Sequence, residues 1–181
     1  MARTADTAVT PVILGLLRNG PRSGYEIKAA VDRSTRFFWA ASYGQIYPEL
    51  RRLETDGLVR GEDSPNGRRP RRVYRLTKAG EARLLAWLRG TDTTWELRDE
   101  NLLRLIFADA LPREEALQLL EGRKRVHQQV LETLREIDER PGDDPPFVDL
   151  VLRWGLAFNE WGAEWCTEQL RRLDAEKTTA S

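Results

Sequence analysis

The sequence predicts a mainly α-helical chain with one small β-hairpin wing: a winged helix-turn-helix domain over residues 1–90 and an all-helical domain over residues 91–181. Three observations carry this expectation. The first half sets out short amphipathic segments followed by two strand-like runs around a loop, the order helix, helix, helix, wing. The second half repeats apolar residues at three-, four- and seven-residue spacing with no strand signal. Charge divides at the same place. Residues 1–90 hold 17 basic and 9 acidic residues, net +8, and residues 91–181 hold 12 and 20, net −8, so the whole chain sums to zero. Such a split sets a half fitted to a polyanion beside a half with another task. Arginine outnumbers lysine 25 to 4 across both halves, so arginine richness alone does not argue for phosphate recognition.

Residues 1–8 read as frayed. From Val9 to Leu17 the chain reads as a first helix, with Val9, Ile13, Leu16 and Leu17 apolar. Pro11 lies near its start, where a missing N–H costs little. Asn19-Gly20-Pro21 breaks it. Ser23 and Glu26 have the spacing of a capping box, in which each side chain satisfies a free N–H at the helix start. This box opens a second helix to about Val31, with Tyr25, Ile27 or Lys28, Ala29 and Val31 available for packing. Phe37, Phe38 and Trp39 are expected to plug the space between helices.

The stretch from Ser42 to Val59, SYGQIYPELRRLETDGLV, is the one around which the first half is organised. Ile46, Leu50 and Leu53 recur at the spacing of a buried helical face. Ser42 and Gln45 form a second capping box. Asp56-Gly57 stops the helix, because glycine accepts the left-handed conformation common just past a helix end. Tyr43, Gln45, Tyr47, Glu49, Arg51 and Arg52 remain for the outer side, where such side chains suit base edges and phosphates in a major groove. Pro48 is awkward in this setting. Either the helix begins nearer Gly44, leaving Pro48 in its donor-free first turn, or it is locally kinked.

A hairpin follows. Leu58 to Glu62 reads as one strand, Asp63 to Pro70 as a loop, and Arg71 to Leu76 as a second strand with Tyr74 and Leu76 on one face and Val73 and Arg75 on the other. The loop carries Arg68, Arg69, Arg71 and Arg72, with Arg75 behind. These guanidinium groups suit phosphates or a narrow minor groove, on the reasoning that they would repel one another without a counter-anion. Thr77 caps a helix from Lys78 to Arg89, with Leu84, Leu85 and Leu88 expected inside. Gly90 to Thr94 reads as the linker between domains.

In the second half, Trp95 to Ala110 reads as a helix that stops at Pro112, and a long helix runs from there to about Glu139. Its apolar stripe is Ala116, Leu117, Leu120, Val130, Leu131, Leu134 and Ile137, with His127 on the same side as a hydrogen-bonded core residue. The RPGDDPP turn at residues 140–146 separates it from a last helix of about Phe147 to Leu173. There Phe147, Trp154 and Trp161 form one row at seven-residue spacing, and Val151, Phe158 and Trp165 form another. The two helices are expected to pair antiparallel. An aromatic seam of this kind is costly to leave wet, at about 1.5–3 kcal/mol per large apolar side chain, so a homodimer through these arms is expected.

The single histidine and the single cysteine, Cys166, supply no metal-ligand pattern and no disulfide framework. No Ser-His-Asp grouping and no glycine-rich phosphate loop is present, so no enzyme and no cofactor is expected. No stretch approaches the roughly 18 apolar residues of a membrane span, and a soluble, cytoplasmic protein is expected. Cys166 beside Trp165 is expected as a small packing residue.

The segments ILGLL at 13–17, GPRSGYEI at 20–27, SYGQIYPELRRLETDGLV at 42–59 and RRVYRLTKAGEARLLAWL at 71–88 together resemble the PadR family of bacterial transcriptional regulators. LRDENLLRLIFADAL at 97–111 and the closing aromatic helix look like its longer-tailed members, which dimerise through a helical C-terminal domain. The resemblance implies a winged-helix repressor that binds a palindromic operator in double-stranded DNA and that a small molecule, often aromatic, phenolic or drug-like, releases. Carried onto this chain, it implies DNA contacts at Ser42, Tyr43, Gln45 and Tyr47, with Arg51, at Arg68, Arg69 and Arg71 on the wing, and at Tyr25 on the preceding helix. Dimerisation falls to Phe147, Val151, Trp154, Phe158, Trp161 and Trp165, and an effector would meet Trp95 and Trp154. Two alternatives stand beside this reading: a winged-helix module that binds proteins and no DNA, and a repressor with no effector.

Overall fold

The computed structural model describes residues 6–39, 41–64, 71–91, 99–140 and 145–179. The chain divides into two compact units, Met1–Thr94 and Trp95–Ser181.

The first unit is a winged helix. Helix α1 spans Thr10–Arg18, a two-residue strand β1 Arg22–Ser23, helix α2 Gly24–Arg33 and helix α3 Tyr43–Thr55. Strands β2, Val59–Ser64, and β3, Arg71–Leu76, form the wing, and helix α4, Lys78–Arg89, follows. The sheet order is β1-β3-β2, antiparallel throughout, with Arg22 opposite Tyr74 and Asp63 opposite Arg72. A two-residue strand is too short to carry a period-two pattern, so β1 left no trace in the sequence. Strand β2 also runs two residues beyond the expected Glu62.

The core of this unit is Ile13, Leu14, Leu17, Ile27, Val31, Ile46, Leu50, Leu53, Val59, Tyr74 and Leu84. Leu14 takes the buried place expected for Leu16, which is only partly buried. Three expectations of burial fail. Phe38 and Trp39 are 51% and 44% exposed, so they do not plug the helices; the Trp39 indole N–H instead donates to the Ala8 carbonyl at 2.7 Å. Leu88 is 59% exposed near the end of α4. Glu49, expected outside, is buried. It accepts from Arg52 at 2.7 and 3.0 Å and from the Thr10 hydroxyl, which ties α1 to α3.

Helix stops and starts follow local chemistry. Gly57 has φ +70°, the left-handed value that glycine adopts without strain, and it ends α3. Thr77 accepts from the Gly80 N–H at 3.1 Å and donates to the carbonyls of Gly57 and Leu58, so the cap of α4 also closes the turn before β2.

In the second unit, helix α5 spans Glu100–Ile106, α6 Arg113–Asp138 and α7 Pro146–Thr179. Helix α5 is shorter than expected. A 3-10 turn at Ala108–Ala110 follows it, and residues 95–98 lie outside the described residues. Asp99 caps α5 and accepts from the buried Arg123 on α6 at 2.6 Å. Helices α6 and α7 pair antiparallel, as the contacts of Arg113 with Leu173, His127 with Asn159 and Asp138 with Arg153 record. At about 1.5 Å per residue the arms are roughly 39 and 51 Å long. Helix α7 turns its small residues to α6: Gly155 meets Leu134, Gly162 meets His127, and Asn159 and Cys166 are buried. His127 is the hydrogen-bonded core histidine expected, with Nδ1 3.0 Å from Asn159 Oδ1. No helix among the described residues is long and apolar enough to cross a membrane.

Candidate nucleic-acid interface

Two capped helix starts build the candidate surface. At α2, Glu26 Oε2 accepts from the Ser23 N–H at 2.7 Å and its hydroxyl at 2.8 Å, while Ser23 Oγ accepts from the Glu26 N–H. These bonds, with Arg71 beyond them, hold the Glu26 carboxyl below the usual range. At α3, Gln45 Oε1 accepts from the Ser42 N–H at 2.9 Å and from its hydroxyl at 3.1 Å. The amide oxygen of Gln45 is therefore committed to the helix end, and its NH₂ donor remains for another partner.

Ser42, Tyr43, Gln45, Tyr47 and Arg51 are all exposed, as is Tyr25 at the start of α2. The rings of Tyr43 and Tyr47 stack with centroids 6.1 Å apart, and the Lys28 ammonium lies 5.4 Å from the Tyr43 centroid. Lys28 also pairs with Asp32. Tyr47 lies against Gly24, where a β-carbon would stand 2.6 Å from its ring. Sequence reasoning missed both contacts of these rings. Lys28 appeared only as a packing alternative, and no local pattern signals that Gly24 serves a ring on another helix. Helix α3 begins at Tyr43, so Pro48 lies past the first turn, and the carbonyl of Gly44 has no N–H four residues on.

On the wing, Arg68 and Arg69 lie outside the described residues. Arg71 donates to Glu26 at 3.0 Å. Arg72 donates to Glu54 at 2.7 Å and to Asp63 at 3.0 Å, and Arg75 lies 3.8 Å from Glu62. The arginines at the base of the wing thus have counter-anions within the chain, which corrects the expectation that they would repel one another without a polyanion. Glu54 is held below its usual range by Arg72 and by the Gly61 N–H.

In the second unit, Phe147, Val151, Trp154, Phe158 and Trp161 are exposed and Trp165 is partly buried. Trp154 and Phe158 stack 5.2 Å apart, and Phe158 continues to Trp161 at 6.3 Å. Phe158 also meets the His127 ring of α6 edge-on at 5.8 Å, but the face of α7 that α6 covers is chiefly the small-residue one. Trp95 lies outside the described residues. No group of three metal-binding side chains occurs among the described residues.

A model of the transcriptional regulator PadR-like family matches residues 13–86, and a model described as virulence activator alpha C-term matches residues 97–174. The negative transcriptional regulator PadR of Bacillus subtilis is 34% identical over 125 residues, 68% of this chain and 69% of that protein. The structure of Bacillus subtilis PadR in complex with operator DNA is similar at a TM-score of 0.81 and 28% identity, over 93% of this chain and 99% of that one. The structure of the same protein with p-coumaric acid is similar at a TM-score of 0.72 and 28% identity, over 96% of this chain and 99% of that one.

Proposed function

From the finding that the chain belongs to the PadR-like family of transcriptional regulators, a DNA-binding and non-enzymatic family, we propose that it is a homodimeric repressor. It binds a palindromic operator and is released by a small aromatic effector. The observation that carries the reading is the exposed Tyr43–Gln45–Tyr47 surface on the opening turns of α3, held by a cap and flanked by Lys28 and Arg51. Tyr43, Tyr47 and the Gln45 NH₂ meet base edges in the major groove, Ser42 and Tyr25 meet phosphates, and Arg68, Arg69 and Arg71 on the wing reach the flanking backbone. Two such heads, joined through the aromatic rows of α7, straddle half-sites one helical turn apart or a multiple of it.

Bacillus subtilis PadR in complex with p-coumaric acid supports a phenolic compound as the effector class, and Trp154 and Trp95 are the residues proposed to meet it. The protein works in the cytoplasm, on the nucleoid. A mobility-shift titration on the DNA upstream of its own gene tests the proposal. Retention that weakens steeply with salt and is relieved by a phenolic acid is expected. No shift at low salt rejects DNA binding and favours a protein-binding winged helix, and a shift that no phenolic or drug-like compound relieves leaves a repressor without an effector.

A further inference from the structure

The base of the wing holds an ion pair that spans three elements. Arg72 on β3 reaches across β2 to Glu54 on α3, with Nη2 2.7 Å from Oε1, while Nη1 donates to Asp63 at 3.0 Å. The same Glu54 oxygen accepts from the Gly61 N–H of β2 at 2.9 Å. One carboxylate therefore ties both strands of the wing to the C-terminal end of the reader helix. The guanidinium can take this path because residue 61 has no side chain. A β-carbon there would stand 2.6 Å from Arg72 Nε and 2.6 Å from Glu54 Oε1. Both nitrogens of the Arg72 fork are engaged within the protein. Arg71, one residue earlier, donates among the described residues to Glu26 alone, at the far side of the wing from Glu54.

We propose that Arg72 is a positioning residue for DNA recognition. Clamped by Glu54 over Gly61, it sets the wing against α3, so that groove contacts and wing contacts fall on the same site, and it does not itself contact phosphate. The proposal rests on the reading that α3 and the wing engage DNA together. A rigid planar fork that holds one carboxylate on each arm suits this task better than a lysine, whose ammonium offers no fixed plane. A wing held loosely would still attract the backbone, but it would add the same contribution to any sequence.

The test uses the full chain with two probes, a duplex enriched from a random pool by the wild-type protein and a duplex of unrelated sequence. Binding to each is measured across a salt series. A wild-type chain that enriches no sequence rejects the underlying DNA reading, and the variants are compared only on a chain that does. Arg71→Ala is expected to flatten the slope of log affinity against log salt by about one contact. Arg72→Lys, Glu54→Ala and Gly61→Ala are each expected to keep the slope and to lower the preference for the enriched duplex by about five- to tenfold. Gly61→Ala needs only two flexible side-chain ends to move, so it dislodges the clamp without emptying the core, and its thermal melt is expected close to wild type.

The doubly substituted Arg72→Lys, Glu54→Ala chain should lose no more preference than either single variant, because all three changes release one clamp. If Arg72 instead binds phosphate, Arg72→Lys keeps the preference, Glu54→Ala steepens the slope by freeing the guanidinium, and the two changes act independently. Any of those three results overturns the proposal.

Discussion

Gly162 lies directly against the ring of His127: a β-carbon at that glycine would stand 2.6 Å from Cε1 and 2.7 Å from each ring nitrogen. The imidazole cannot swing away freely, because Asn159 holds Nδ1 at 3.0 Å and Phe158 presents its ring at 5.8 Å. Asn159 Nδ2 donates to the Gly155 carbonyl at 2.8 Å, so its oxygen faces the histidine and Nδ1 carries the proton. Gly162→Ala should therefore part the two long helices and destabilise the second unit by about 1–3 kcal/mol, the usual cost of overpacking. Urea unfolding followed by far-ultraviolet circular dichroism measures it.

Gly80→Ala should be harsher. The added carbon would overlap the Leu58 carbonyl oxygen and stand 2.8 Å from Leu76 Cδ1. The first obstacle is backbone, fixed by Thr77 as well as by the wing. A loss at the upper end of the overpacking range, about 3 kcal/mol, is expected in the first unit. Hydrogen exchange resolved by segment should show it in α4 and β2 and leave α6 unchanged.

Acid should loosen α1 from α3. Burial pushes the Glu49 carboxyl up, but the Arg52 and Thr10 hydrogen bonds and the Arg52 charge outweigh it and hold the group below its usual range. A carboxyl with a lowered folded value contributes stability above its unfolded value, about 4.3, and that contribution is lost as the pH falls through the folded value. Thermal melts between neutral and strongly acidic pH should decline more steeply for the wild type than for Glu49→Gln, which has no proton to gain there. Parallel curves for the two proteins would remove Glu49 from the account.

Gln45 caps α3 and, under the proposed function, also reads a base edge; one substitution separates the two roles. Gln45→Glu keeps the acceptor for the Ser42 N–H and deletes the amide donor. The melt should stay near wild type while discrimination between operator and random duplex falls by about 1–3 kcal/mol. Gln45→Ala should lose both functions, with about 1 kcal/mol of stability going with the cap. If Gln45→Glu leaves discrimination intact, the residue caps and does not read.

The aromatic rows of α7 set the assembly prediction. Light scattering should give the wild-type chain twice its 20.8 kDa mass, and Trp154→Glu with Trp161→Glu should bring it toward the single-chain value. A wild-type mass of one chain at micromolar concentration would remove the homodimer.

Features with local causes were legible in the sequence. The spacing of Ser23 to Glu26 and of Ser42 to Gln45 located both helix starts, and Gly57 located a stop, because each depends on groups within a few residues. The three-and-four spacing found Ile46, Leu50 and Leu53, all fully buried. Tertiary pairing decided the rest. Glu49 looked like a surface residue until Thr10 and Arg52 met it. Arg72 looked like its neighbours until Gly61 opened a path to Glu54. The seven-residue rows of α7 showed which aromatics share a face, but not that glycine, asparagine and cysteine would take the face against α6. Of the candidate contact residues, Arg68, Arg69 and Trp95 lie outside the described residues.

The small-residue seam between α6 and α7 has a consequence for how the protein is made. Because α6 is content with glycines, it leaves Trp154 and Trp161 more than half exposed and Phe158 over a third, and these emerge from the ribosome after the whole of the winged head. Domains commonly mature in the order of synthesis, so the head is finished before the oily surface exists. If two copies pair through it as proposed, the window in which that surface invites chaperones or stray encounters closes only as fast as two nascent copies meet. Expression level, more than intrinsic foldability, should govern the yield of usable protein.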